Sequence, residues 1–284
     1  MSDFKDRFFQ SKDGLTLYAR DYSGPEADSP TLLCLHGLTR NSCDFQDVAP
    51  ALASDFRVVV PEQRGRGRSE YAADVAHYAL MQYVEDTRAL IEGLGVDQVS
   101  IIGTSMGGLM TFALSALYPG SIKKAVINDI GPHIATVGLE RIKSYVGVPG
   151  PFADWQEATD YLADISSEIF PDWDRDQWSR FARQSYVERE GQVVIDYDPR
   201  IAEPLAGDSQ DTETEILWSL FDTMVGVPML LIRGDLTDLL TEECTAEMLK
   251  RHPQCELLRV PNVGHAPMLT EPGVPEAIQR FLLA

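Results

Sequence analysis

The chain is short of positive charge: 24 Lys and Arg stand against 44 Asp and Glu, a formal net charge of −20. So acidic a surface repels the phosphate backbone of nucleic acid and the face of an anionic membrane, and neither is expected as a partner. It says nothing about a single pocket, where a local basic group can still receive an anionic ligand. Long apolar runs are also missing, and none approaches the ~20 residues that a membrane-spanning helix needs. The stretch MSDFKDRFFQSKDG scatters charges among its aromatics and lacks the apolar centre of a secretory signal, so the expected location is cytoplasmic. Cysteine is scarce. Cys34, Cys43, Cys244 and Cys255 form no C-x-x-C pair and no zinc-like spacing with histidine, which points to free thiols and no metal. No internal repeat or low-complexity tract is present.

What is present is a rhythm. Short apolar runs at 31–35 (TLLCL), 56–60 (FRVVV), 99–102 (VSII), 125–127 (AVI), 229–232 (MLLI) and 256–260 (ELLRV) are bounded by Gly, Pro or Asp and read as strands. Residues 83–94 and 106–118 carry apolar positions at helical spacing between them. Alternation of this kind predicts an α/β fold, a mostly parallel sheet flanked by helices, with 15–22 adding an antiparallel edge strand. With 284 residues the chain can bury a full core without staples. After Ile130 the rhythm stops. Residues 132–224 are helix-like and tryptophan-bearing, with one extended stretch at 192–197, and the strands resume at Val227. The expected organisation is a core of 1–131 and 225–284 with a helical lid inserted at 132–224. Trp155, Phe170, Trp173, Trp178 and Trp218 are candidates for its pocket wall, against the competing use of packing the insertion's own small core.

The run at 99–102 leads into Gly103-Thr104-Ser105-Met106-Gly107 and then a helical stretch. This is a G-x-S-x-G elbow in the setting it needs, strand then sharp turn then helix. A serine forced into such a turn needs neighbours without Cβ two residues before and after it, or strand and helix collide. Its hydroxyl then stands at the positive end of the helix. A nucleophile there needs a base and an oxyanion site. Past the run at 229–232 comes Arg233-Gly234-Asp235-Leu236-Thr237-Asp238, and past that at 256–260 comes Pro261-Asn262-Val263-Gly264-His265. The chain order Ser105, Asp238, His265 at the carboxyl ends of strands is the order this arrangement uses, and such ends share one rim of a parallel sheet. The loop His36-Gly37-Leu38-Thr39 can aim backbone N–H groups at a developing charge, so Leu38 and Met106 are the expected oxyanion donors. His36 reads as a brace for that loop.

At these residues the sequence resembles the α/β-hydrolase superfamily. The matching stretches are Leu35-His36-Gly37-Leu38-Thr39, PEQRGRGRS from Pro61, GTSMGG from Gly103 and VGHAP from Val263, which together span most of the chain. The resemblance implies an eight-stranded sheet, a lid after the sixth strand, no cofactor, and an acid a few residues past the glycine ending the seventh strand, which picks out Asp238. Glu62 departs from the Asp usual before the R-G-x-G-x-S loop. Asp235 lies too close to its strand end to reach His265. Asp129, ending the sixth strand, is the alternative acid, because some family members place it there, but it has to reach across the seventh strand.

The expected function is a serine hydrolase that cleaves a small-molecule carboxylic ester through an acyl-enzyme on Ser105. Lactonase, thioesterase and carbon–carbon bond hydrolase chemistry use the same three residues. A serine at the elbow, where dehalogenases and epoxide hydrolases carry aspartate, argues against those reactions. An alternative of another class is a ligand-sensing relative with little turnover.

Overall fold

The computed structural model describes residues 4–206 and 210–284. In chain order it contains β1 Phe4–Gln10, β2 Thr16–Tyr22, β3 Thr31–Leu35, α1 Ala49–Leu52, β4 Arg57–Glu62, α2 Leu80–Leu94, β5 Val99–Thr104, α3 Met106–Leu117 and β6 Ile122–Asn128. There follow α4 Thr136–Tyr145, α5 Trp155–Ser166, α6 Arg175–Ser185, β7 Tyr186–Arg189, β8 Gln192–Ile195, α7 Gln210–Asp222, β9 Met229–Gly234, α8 Glu242–Arg251, β10 Cys255–Val260 and α9 Val274–Leu283. Eight strands form one sheet in the order β1-β2-β4-β3-β5-β6-β9-β10, antiparallel at β1 and β2 and parallel from β4 onward.

The central strands are mostly apolar and buried because both of their faces are covered. Side chains alternate between the two layers. Leu33, Leu35, Val59 and Ile101 join one core with Leu90 and Ile91 of α2 and Phe112 of α3. Leu32, Cys34, Val58, Val60 and Ile102 join the other with Leu52 of α1 and Ile278 and Phe281 of α9. The edge strand β1 is mostly exposed, and its one exposed large hydrophobe, Phe8, lies beside Tyr18 of β2 at 5.4 Å between ring centroids.

Between β6 and β9 lie α4, α5, α6, the β7–β8 hairpin and α7. The hairpin segment is sewn to the loop after β4. Gly67 N–H donates to Asp196 O at 2.9 Å, Asp198 N–H to Gly65 O at 2.7 Å, and the Tyr78 hydroxyl to the Asp198 carboxylate at 2.5 Å. The other end of this segment departs from the expected boundary. Phe221 of α7 packs edge-on against Phe112 of α3 at 5.3 Å, so α7 and its Trp218 belong with the helical layer of the body. Among the described residues no helix is long and apolar enough to cross a membrane.

Candidate active site

The turn from β5 into α3 is held by close backbone packing. A Cβ on Gly107 would stand 2.2 Å from Leu35 O, and one on Gly103 would stand 2.5 Å from Gly107 O. Only glycine lets the helix descend this far onto the sheet, and the residue caught at the apex, Ser105, takes φ 52° and ψ −116°. Such a backbone costs about 1–3 kcal/mol and is kept only where its surroundings over-determine it. The strain lifts the Ser105 side chain above the strand ends. Its Oγ is 2.8 Å from His265 Nε2.

The other imidazole nitrogen meets Asp129 and not Asp238. His265 Nδ1 is 2.9 Å from Asp129 Oδ2, and Asp129 Oδ1 accepts the Gly234 N–H at 2.9 Å. Asp238 is turned the other way, in a two-pronged ion pair with Arg141 of α4 at 2.6 and 2.8 Å. Burial raises its pKa, but the guanidinium outweighs this and holds the carboxyl below the usual range. The sequence predicts Asp238 as the acid, with Asp129 the alternative that has to reach across β9; Asp129 makes that reach for a local reason. The end of β9 is Gly234, where a Cβ would stand 2.3 Å from Val263 O, so the histidine loop closes directly onto bare backbone. Asp129, at φ 59° and fully buried, leans over that gap. Asp235 lies 3.5 Å from Arg259, as a surface ion pair.

Two residues of this arrangement had only a faint sequence signal. Asn128 donates from Nδ2 to Thr104 Oγ1 at 3.1 Å and to Pro267 O at 2.8 Å, pinning the loop that carries His265. The signal is two polar residues, Asn128 and Asp129, ending an apolar strand with no exposed surface at all. Arg141 gave no signal, being one cation among several in a helical stretch.

The loop after β3 lies against the serine, a Cβ on Gly37 falling 3.7 Å from Ser105 Cβ. His36 braces it from below. Gln63 N–H must donate to Nε2 (3.1 Å), so Nδ1 carries the proton and donates to Gly37 O at 2.7 Å. Burial pushes the His36 pKa down to about 3, so the ring stays neutral. Buried Arg66 donates from Nε to Leu38 O at 2.9 Å, fixing the orientation of that turn. Among the described residues neither Leu38 N–H nor Met106 N–H has an acceptor. Glu62 keeps a structural place: its carboxylate accepts Ser42 Oγ–H and Arg68 N–H, both at 2.6 Å.

Above Ser105 and His265 lies a cavity lined by Leu38, Phe45, Met268 and Leu269 from the body and by Ile142, Tyr145, Leu162, Ile165, Ile169, Phe170, Phe181, Tyr186 and Tyr197 from the insertion. Of the aromatics marked in the sequence only Phe170 reaches it. Trp173 stacks on Phe170 at 3.9 Å and Trp178 packs against Trp173 at 4.7 Å, forming the insertion's own core. Trp155 lies under the Arg183 guanidinium.

A covered parallel sheet whose central strand turns through a serine into a helix is the plan of the α/β hydrolases, and a family model of that fold matches residues 30–272. The chain belongs to this family. It is 38% identical over 267 residues to the 3-hydroxybutyrate-oligomer hydrolase of Cupriavidus necator, covering 92% of this chain and 90% of that protein. It is 24% identical to the 2-(acetamidomethylene)succinate hydrolase of Mesorhizobium japonicum, covering 94% and 92%. The crystal structure of an α/β hydrolase from Novosphingobium aromaticivorans matches with a TM-score of 0.93 at 43% identity, covering 100% of this chain and 99% of that one.

Proposed function

We propose that the protein is a serine hydrolase that cleaves a carboxylic ester through an acyl-enzyme on Ser105. The observation that carries this reading is the unbroken chain Asp129–His265–Ser105, at 2.9 and 2.8 Å, opening on an apolar cavity. A carboxylate only accepts hydrogen bonds, so Asp129 keeps the imidazole proton on Nδ1 and leaves the Nε2 lone pair facing Ser105. His265 then takes the hydroxyl proton as Oγ attacks the ester carbonyl. The negative charge that develops on the carbonyl oxygen is received by the N–H groups of Leu38 and Met106, the latter at the positive end of α3. His265 returns the proton to the departing alkoxide. A water activated by the same histidine next releases the acid and restores Ser105.

The 38% identity with an oligomer hydrolase over nearly the whole chain favours short aliphatic hydroxyacyl esters, which suit aliphatic and aromatic walls. The insertion acts as a lid that selects the acyl or alcohol group. The test is a fluorophosphonate label with peptide mapping, run beside a panel of chromogenic esters of increasing acyl length and 3-hydroxybutyrate oligomers. Adduct on the Ser105 peptide and multiple turnover are expected; a label elsewhere, or binding without turnover, overturns the reading.

A further inference from the structure

The cavity wall contains two fixed cations, Arg40 and Arg141, and they are not equivalent. Arg40 has a partner at each of its three nitrogens. Its Nε and Nη2 hold the Asp44 carboxylate at 2.5–3.1 Å, and its Nη1 donates to Ser185 Oγ. Arg141 differs. Asp238 takes its Nε–H and one Nη2–H, and among the described residues no acceptor is hydrogen-bonded to Nη1. A guanidinium has five N–H donors in a planar fork, so this pairing leaves a second edge, formed by Nη1 and the remaining Nη2–H. That edge matches the spacing of a carboxylate. The Arg141 side chain is about three-quarters buried, with 24% of it exposed, and Tyr145, also in the wall, sets its hydroxyl beside the guanidinium, where the oxygen accepts from Arg141 and the O–H is left to donate.

We propose that Arg141 is a specificity-determining residue whose free edge anchors a carboxylate on the substrate, remote from the scissile ester, with Tyr145 as a second donor. The proposal rests on the esterase reading above and narrows its substrate to half-esters and hydroxyacid esters with a free acid group. The surroundings make the assignment meaningful. A protein of net charge −20 repels small carboxylates at long range, so their binding in this cavity needs a local, desolvated partner. Asp238 fixes the guanidinium plane, so little rotational freedom is lost when the ligand docks.

The experiment compares each anionic ester with its isosteric carboxamide. One pair carries the group on the acyl side, nitrophenyl hemisuccinate against nitrophenyl succinamate. The other carries it on the alcohol side, 3-butanoyloxybutanoate against 3-butanoyloxybutanamide. The readout is the anionic-to-neutral ratio of kcat/KM within one protein. Wild type should exceed unity in at least one pair, through KM, and R141Q should lower that ratio by about 10–100-fold, the range for a lost charge-assisted hydrogen-bond pair. Asp238→Asn, which removes the competing anion and keeps the cation, should hold or raise it. A purely structural ion pair predicts the opposite pattern, in which both substitutions lower the anionic and neutral esters alike, and that outcome overturns the proposal. Binding of glutarate against glutaramide to the Ser105→Ala protein, measured by calorimetry, separates the two readings and needs no Arg141 variant. Stronger binding of glutarate supports the anchor even when no ester is cleaved, and equal binding overturns it even when esters are turned over.

Discussion

Asp129 and Gly234 meet across a strand boundary: the carboxylate of the first accepts the backbone N–H of the second at 2.9 Å while its other oxygen reaches His265. The pair explains how a side chain from the end of β6 serves a histidine on the loop after β10 with β9 lying between them. The residue at the end of β9 has no side chain to stand in the way, and its N–H aims the carboxylate.

In Asp129→Asn the amide oxygen can keep the Gly234 bond, which turns the NH2 group toward His265. The imidazole must then accept at Nδ1 and carry its proton on Nε2, facing Ser105, where it no longer acts as a base. Turnover should fall by ~10⁴-fold with the fold intact. Asp238→Asn breaks an ion pair whose two side chains are each about one-quarter exposed, leaves the Asp129–His265–Ser105 chain in place, and should lose far less turnover on neutral esters. Steady-state rates of both variants, with thermal melts as a folding control, decide the matter. The reverse ranking restores Asp238 as the acid.

Gly234→Ala tests the close approach itself. The new Cβ would stand 2.3 Å from Val263 O and 2.9 Å from Gly264 O, both backbone atoms of the histidine loop. Overpacking of this kind costs roughly 1–3 kcal/mol. A displacement of His265 by an ångström can remove ~10²-fold in rate, so activity should fall further than stability implies. Gly93→Ala is the control. It lies in α2 with nothing within 4 Å of the added carbon, and should be neutral or stabilise by up to ~1 kcal/mol. Equal effects of the two substitutions on rate remove the packing argument.

These contacts mark where the sequence stops being readable. The strands are local facts: TLLCL and FRVVV are apolar because both faces of the sheet are covered, and the run at 31–35 coincides with β3. Ser105 and His265 stand on turns whose glycines leave a signature, and the structure puts them within hydrogen-bond distance. The choice between Asp129 and Asp238 is not local. It depends on the order of β6, β9 and β10, on the missing Cβ at Gly234 and on Arg141, 97 residues before Asp238, occupying the rival. The edge strand β1 escaped notice for another reason, since a solvated strand carries charges where a buried one shows an apolar run. Within the insertion, a stripe of aromatics does not say whether it faces a cavity or itself.

His36 makes stability pH-dependent in a defined direction. Its folded pKa, lowered by burial to about 3, lies below the ordinary value of ~6.5. The unfolded chain therefore binds the extra proton between these values. The contribution is present above ~6.5 and is lost as pH falls toward 3. Asp196 works the opposite way. Burial and the nearby Glu62 charge raise it to about 6, so its contribution is lost as pH rises through that value. His36→Asn should flatten the fall in Tm between about pH 7 and pH 5, and Asp196→Asn should steepen it. Parallel Tm profiles for wild type and His36→Asn exclude His36 as a source of acid sensitivity.

The last prediction concerns the wall that the insertion supplies. Phe170 lines the cavity while stacking on Trp173 at 3.9 Å, so it reaches the ligand space and is also anchored behind. Its truncation leaves the Asp129–His265–Ser105 chain untouched, because no hydrogen bond of the three involves the insertion. Phe170→Ala should therefore shift the preferred acyl chain to a longer one in a series of nitrophenyl esters. The rate of fluorophosphonate labelling at Ser105 should change little by comparison. Removing a buried ring costs about 3–5 kcal/mol when the site cannot collapse, so melting curves must accompany the assay. A folded variant with an unchanged ranking of chain lengths means that the insertion does not select the substrate through this wall. Phe181→Ala then provides the next discriminating case, since Phe181 faces the cavity from α6 beneath the Arg40 guanidinium at 4.3 Å.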